Sequence, residues 1–206
     1  MEDVLSIIAT IVAIYALWQT QIQITISNKH KLFDKRVERF MIITGLISLF
    51  EESKQLMNNE GYDNYIDVTV LFHSLTNNTY LQDIGNIIDN INQEDIRQKF
   101  LVKLEELKKM SIEVEFLFSK NNIDLIKKFI YKYQELLRTI YKEQIILNKI
   151  LKKNEKNPTE FIQLQKEFNE KKYREKLYCE YNEIKLLYNE IAKNDVIKNI
   201  KKQINF

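Results

Sequence analysis

A chain of 206 residues with 45% hydrophobic and 29% charged side chains is long enough to bury one sizeable core. Three glycines and one proline leave too few turn formers for a sandwich or barrel of short strands, and the apolar content is too high for a disordered tail. A formal net charge of +2 gives no reason to expect nucleic acid as a partner, and a single cysteine, Cys179, excludes an internal disulfide and any multi-cysteine metal site.

The first predicted element is a transmembrane helix. After Glu2 and Asp3 the next charged residue is Lys29, so residues 4–28 carry no charge. As a helix this run reaches roughly 37 Å, against a hydrocarbon core of about 30 Å. The strongly apolar part, Val4 to Trp18, reaches only about 22 Å, so the span has to include part of Gln19 to Ile26, where Ile22, Ile24 and Ile26 supply apolar contacts. Tyr15 and Trp18 suit an interface. The acidic start and the lack of an A-x-A site argue against a cleaved signal peptide. Lys29, Lys31, Lys35, Arg36 and Arg39 come directly after the span, and the positive-inside rule then places the C-terminal bulk in the cytoplasm. These five cations are also the expected contacts to anionic lipid headgroups, each worth about 1 kcal/mol near the surface.

At 100° per residue, Ser6, Ala9, Ala13, Ala16, Thr20, Gln23 and Ser27 share one stripe with Glu2, while Ile7, Ile11, Ile14 and Trp18 lie on the other side. Small residues let helix backbones approach in lipid, and Ala9-x-x-x-Ala13 has that spacing. Amide and hydroxyl side chains in a bilayer want another helix or water as partner. The stripe therefore reads as a homo-oligomerisation surface, or as a pore lining in which Gln19, Thr20 and Gln23 face the opening. The competing reading puts Gln19 to Ser27 in the headgroup region.

The two expected segments are residues 1–28, the transmembrane segment, and 29–206, a cytoplasmic α-helical bundle domain. With no Gly or Pro before Gly45, one helix is expected to run on from the span, with Leu32, Phe33, Val37, Phe40, Ile43, Ile47 and Phe50 as its apolar stripe. Asn58-Asn59-Glu60-Gly61 should end it. Two short helices come after it, Tyr65 to Leu75, broken by Asn77 and Asn78, and Leu81 to Ile91 around Gly85. Three long helices come next. The first starts at Asn92 as N-cap with Asp95 at N3, and the second after Asn122 with Ile126, Phe129, Tyr133, Leu136, Ile140, Leu147 and Leu151 on one face. The third opens at Asn157-Pro158-Thr159-Glu160 and carries Leu177, Tyr181, Ile184, Tyr188 and Ile191.

No catalytic motif emerges. Gly45, Gly61 and Gly85 cannot form a P-loop or a dinucleotide turn. His30 reads as solvated, His73 as a satisfied structural histidine and Cys179 as a small core residue. The pairs Lys127-Lys128, Lys152-Lys153 and Lys171-Lys172 sit among acids or on a turn and read as solvated faces. No cofactor or metal is expected.

The uncharged run and the adjoining Lys31-Leu32-Phe33-Asp34-Lys35-Arg36-Val37-Glu38-Arg39-Phe40 together resemble small bacterial single-pass membrane proteins that carry an L-F-[DE]-K-R-x-E-x-[FY] helix and a helical cytoplasmic domain. Some of those look like accessory effectors of CRISPR and other anti-phage systems, similar to the HEPN helical-bundle ribonucleases. The resemblance implies a membrane effector. It implies no ribonuclease site, because the HEPN motif needs Arg four to six residues before His, and neither His30 nor His73 has one. The expectation is thus an all-α, non-enzymatic, oligomeric membrane protein that perturbs the inner membrane in antiviral defence. The alternative is an anchor or scaffold for a cytosolic protein partner, and an HEPN-like RNase is the remote one.

Overall fold

A computed structural model describes residues 2–58, 67–119, 123–156 and 161–204. Every regular element among them is helical: α1 (Glu2–Asn58), α2 (Val68–Thr76), a 3-10 helix (Gln82–Ile87), α3 (Glu94–Leu117), α4 (Ile123–Lys156), α5 (Phe161–Glu167), α6 (Glu170–Lys193) and α7 (Val196–Lys202). The chain forms two compact units, Met1–Glu38 and Arg39–Phe206. The chemistry changes at residue 29, whereas the structural division falls ten residues later.

The first unit is helix alone. In the second, α1 supplies Ile43, Leu46, Leu49 and Phe50 to the main core, a three-four spacing that keeps one face inward. Phe50 is the hub, 6.0 Å from the Phe129 ring of α4 and 5.3 and 5.7 Å from Tyr181 and Tyr188 of α6. Gly45 lies where a Cβ would come 3.4 Å from the Asn78 amide nitrogen, so its lack of a side chain lets α1 approach that turn closely.

Asp67 caps α2, its carboxylate accepting from the Thr69 and Val70 amides at 2.9 and 3.1 Å. The Asn78 side chain accepts from Leu81 N–H at 2.8 Å and turns the chain into the 3-10 helix that replaces the second expected short helix. α4 packs against α3 and α6. Lys127 meets Glu115 near one end and Phe100 meets Tyr141 near the other, so α3 and α4 run antiparallel. Lys132 pairs with both Glu180 and Glu183 of α6. The Tyr133 hydroxyl, fully buried, donates to the Leu75 carbonyl at 2.6 Å and ties α4 to α2.

Three local expectations change. α3 begins at Glu94 with Gln93 as cap and no side-chain cap bond, because Asn92 sits a residue too early. The last long helix is three pieces: Asn169 and Asp195 adopt left-handed conformations, at φ 53° and 50°, and divide α5, α6 and α7. Both are residue types that tolerate this region without glycine. On α4 the buried line after Ile140 continues through Glu143, Ile146 and Ile150, leaving Leu147 half-buried and Leu151 exposed. The expected features at Tyr65, Asn59 to Gly61, Asn122 and Asn157 to Glu160 lie outside the described residues.

Candidate membrane-associating site

Every side chain from Ser6 to Leu32 is exposed. Leu17 is 71% exposed, and Ile11, Ile14 and Trp18 lie near 60%. At roughly 25 cal/mol per Å² of apolar surface, such a row strongly favours removal from water. α1 is long and apolar enough to cross a membrane, and no part of its apolar window is buried by the protein itself.

Local chemistry fits that surface. Thr10, Thr20 and Thr25 donate their hydroxyls to the carbonyls of Ser6, Ala16 and Gln21 at 2.8, 2.8 and 2.9 Å. Each donor is thereby satisfied one turn back along the helix, as an apolar medium requires. The Gln19 amide donates to the Tyr15 hydroxyl at 2.9 Å, and the Tyr15 and Trp18 rings lie 6.0 Å apart. Gln19 sits about 40° beyond the edge of the small-residue stripe, and this bond turns it toward the aromatic side. On the stripe itself, Ser6, Ala9, Ala13, Ala16, Thr20, Gln23 and Ser27 are all exposed. Among the described residues, Gln23 and Ser27 have no side-chain hydrogen bond. Among the described side chains of the stripe, Gln23 carries an amide that no bond within the helix satisfies.

Of the basic set, Lys29, Lys31 and Lys35 are exposed, and Arg36 is half-buried. Arg39 belongs to the other unit and is committed there: its Nε lies 2.7 Å from Glu113 Oε2 of α3.

Arg39–Phe206 offers two further surfaces. An open cleft of about 840 Å³ is lined by His73, Ser74, Asn77, Asn78, Thr79 and Gln82, and His73 Nε2 lies 3.1 Å from Asp89 Oδ2. His73 is thus a surface histidine held by a carboxylate. The second surface centres on Tyr131, the ridge between two shallow grooves. Lys108, Ile112 and Lys127 border one, and Lys132, Leu186 and Glu190 the other. Ile112, Tyr131 and Leu186 are exposed, and Phe116, one turn beyond Ile112 on α3, is 80% exposed.

Cys179 is exposed, not part of the core: α6 turns Leu177, Tyr178 and Tyr181 inward and leaves Cys179 outside, near Glu183 at 3.7 Å. In each lysine doublet one member has an acidic partner, Lys127 with Glu115, Lys153 with Glu167 and Lys171 with Glu175. A feature absent from the sequence-based expectations is a pair of buried acids, Glu143 and Glu170. A signal for the burial of Glu143 alone exists in the register, since it falls three residues after Ile140 on the core face of α4. An acid at that position interrupts the apolar pattern, which a search for apolar spacing steps over.

Comparison with protein-family models, characterised proteins and solved structures gives no match to this chain.

Proposed function

We propose that the protein is a membrane-anchored helical effector whose spans associate through the Ser6–Ser27 stripe and permeabilise a bacterial inner membrane. The observation that carries this reading is the uniform exposure of the apolar row from Ser6 to Leu32. Lipid is the medium that removes so much apolar surface from water while the threonines stay satisfied within the helix. Gln23 then seeks a partner amide on a second copy, or water in an opening between copies. Lys29, Lys31, Lys35 and Arg36 meet anionic headgroups, with Arg39 held back by Glu113. The tie to anti-phage defence rests on the resemblance of the Lys31 to Phe40 helix to accessory effectors. The chemistry asked of the protein is physical, with no bond made or broken.

Dye-loaded vesicles of phosphatidylethanolamine and phosphatidylglycerol test the reading. Wild-type protein should release dye, and Gln23→Leu should release it several-fold more slowly while partitioning equally. Intact vesicles carrying fully inserted wild-type protein would overturn the permeabilising role.

A second reading, an anchor that holds a cytosolic protein, is favoured by the exposed apolar side chains Ile112, Tyr131 and Leu186 along the two grooves. Under it, a variant lacking residues 1–28 keeps its partner in a pull-down, and Tyr131→Ala loses it.

A further inference from the structure

The corner where α5 turns into α6 packs separately from the rest of the larger unit. The main core does not include it. Its apolar contacts with α4 are a small separate cluster, Ile146, Ile150 and Leu164, flanked by Phe168 and Tyr173. α5 is two turns long, and Asn169 in its left-handed conformation joins it to α6 with no side-chain cap. The ion pair between Lys153 and Glu167 that spans α4 and α5 is solvent-exposed and so contributes little. Yet this corner buries two acids. Glu143 of α4 is 2% exposed and Glu170, the first residue of α6, is 1% exposed.

Their oxygens are distributed unequally. Glu170 Oε2 accepts from the Gln165 amide of α5 at 3.4 Å, and Glu170 Oε1 lies 3.2 Å from Arg174 Nε, an ion pair without an aligned hydrogen bond. Glu143 Oε2 and Glu170 Oε1 are both buried without a hydrogen-bond donor. Arg174, one turn on along α6, supplies Glu170 with a neighbouring cation. Among the described residues, Glu143 Oε2 has no donor. The charges that act on Glu143 from α6 are Glu170 and Arg174, while Gln165 of α5 is bonded to Glu170. From α3, Arg97 and Glu94 act on Tyr141, two residues before Glu143. Burial first, then the Glu170 charge and the bond to it, raise the Glu143 carboxyl to about 8, with Arg174 opposing.

We propose that Glu143 and Glu170 form a proton-binding latch: a single shared proton, donated by the Glu143 carboxylic acid to the Glu170 carboxylate, fastens the α5–α6 corner onto α4, and its loss releases that corner. Linkage sets the sign. Folded Glu143 holds its proton above the range where an unfolded glutamate has lost it. The latch is therefore complete at low pH and weakens as pH rises toward 8, where two buried carboxylates face each other. Released, the corner exposes Leu164, Phe168 and Tyr173, apolar groups that the closed form covers at least in part.

Hydrogen exchange of the full-length protein in detergent micelles, corrected for intrinsic rate and recorded between pH 6 and 9, tests this. Backbone amides of residues 161–176 should lose protection by at least tenfold relative to the main core as pH rises. Glu143→Gln, whose amide donates to Glu170 at every pH, should keep the corner protected and flat across that range. Glu105→Gln, on an exposed helix face, should behave as wild type. A wild-type corner with pH-independent protection, or a Glu143→Gln corner that loosens as the wild type does, would overturn the latch. Should Glu143→Gln fail to fold, Glu170→Gln supplies the same amide–carboxylate pair with the donor on the α6 side, and the same outcomes decide.

Discussion

Within α1, residues 6–32 and residues 43–53 are both rich in isoleucine and leucine, yet they end in opposite surroundings. In the later stretch Ile43, Leu46 and Phe50 fall on one face and α4 and α6 close over it; even Ser53 is buried, with its hydroxyl donating to the Phe50 carbonyl at 2.8 Å. In the earlier stretch Ile7, Ile11, Ile14, Leu17 and Trp18 are exposed and no protein covers them. The difference lies in what separates the apolar residues. Charges such as Glu51 and Glu52, both exposed, define a wet side for the later stretch, so its apolar side needs only a protein partner. The earlier stretch lacks charge up to Lys29 and so has no wet side. On the proposed reading, lipid surrounds it on every side.

The largest expected effect that sharpens this contrast is at Phe50. Phe50→Ala removes a ring packed against Phe129, Tyr181 and Tyr188, and should cost about 3–5 kcal/mol in urea unfolding of detergent-solubilised protein. Membrane association should persist, because α1 keeps its apolar row. Leu17→Arg should do the reverse. A cation near the middle of the uncharged run opposes insertion by about 2.5–3.5 kcal/mol. The protein should shift from the carbonate-resistant membrane fraction to the supernatant with its unfolding midpoint unchanged. Should Leu17→Arg lower that midpoint as Phe50→Ala does, the earlier stretch is covered by protein after all, and the contrast fails.

How much of the molecule is legible in its sequence divides along the same line. Lack of charge over residues 4–28 and three-four spacing in α1, α3, α4 and α6 are long-range patterns, and they yield helix type and most core residues. Termini are harder, because they depend on single side-chain bonds. Asp67 caps α2 without a distinctive local signature, whereas Asn92 has the look of a cap for α3 and is not one. Breaks at Asn169 and Asp195 have no glycine or proline to mark them. The pairing of Glu143 with Glu170 joins residues distant in sequence, and no local pattern encodes it. Asp67→Ala tests the cap directly: losing two amide bonds should cost about 1 kcal/mol of stability, a third or less of the Phe50 effect.

The smallest effect decides where the membrane-facing chemistry ends. Sequence position groups Arg39 with the headgroup lysines, but its guanidinium sits 2.7 Å from the Glu113 carboxylate, with both side chains mostly covered. A pair in that setting should give a coupling of about 0.5–1 kcal/mol in a double-mutant cycle of Arg39→Met and Glu113→Gln. Lys31→Met has no such partner to lose, and should instead weaken binding to phosphatidylglycerol vesicles by an amount that shrinks as salt rises. Arg39→Met should leave vesicle binding unchanged. If it weakens vesicle binding as Lys31→Met does, and the cycle shows no coupling, the headgroup-facing surface extends past Glu38. Arg39 would then belong to the lipid-facing stretch and not to the core it adjoins.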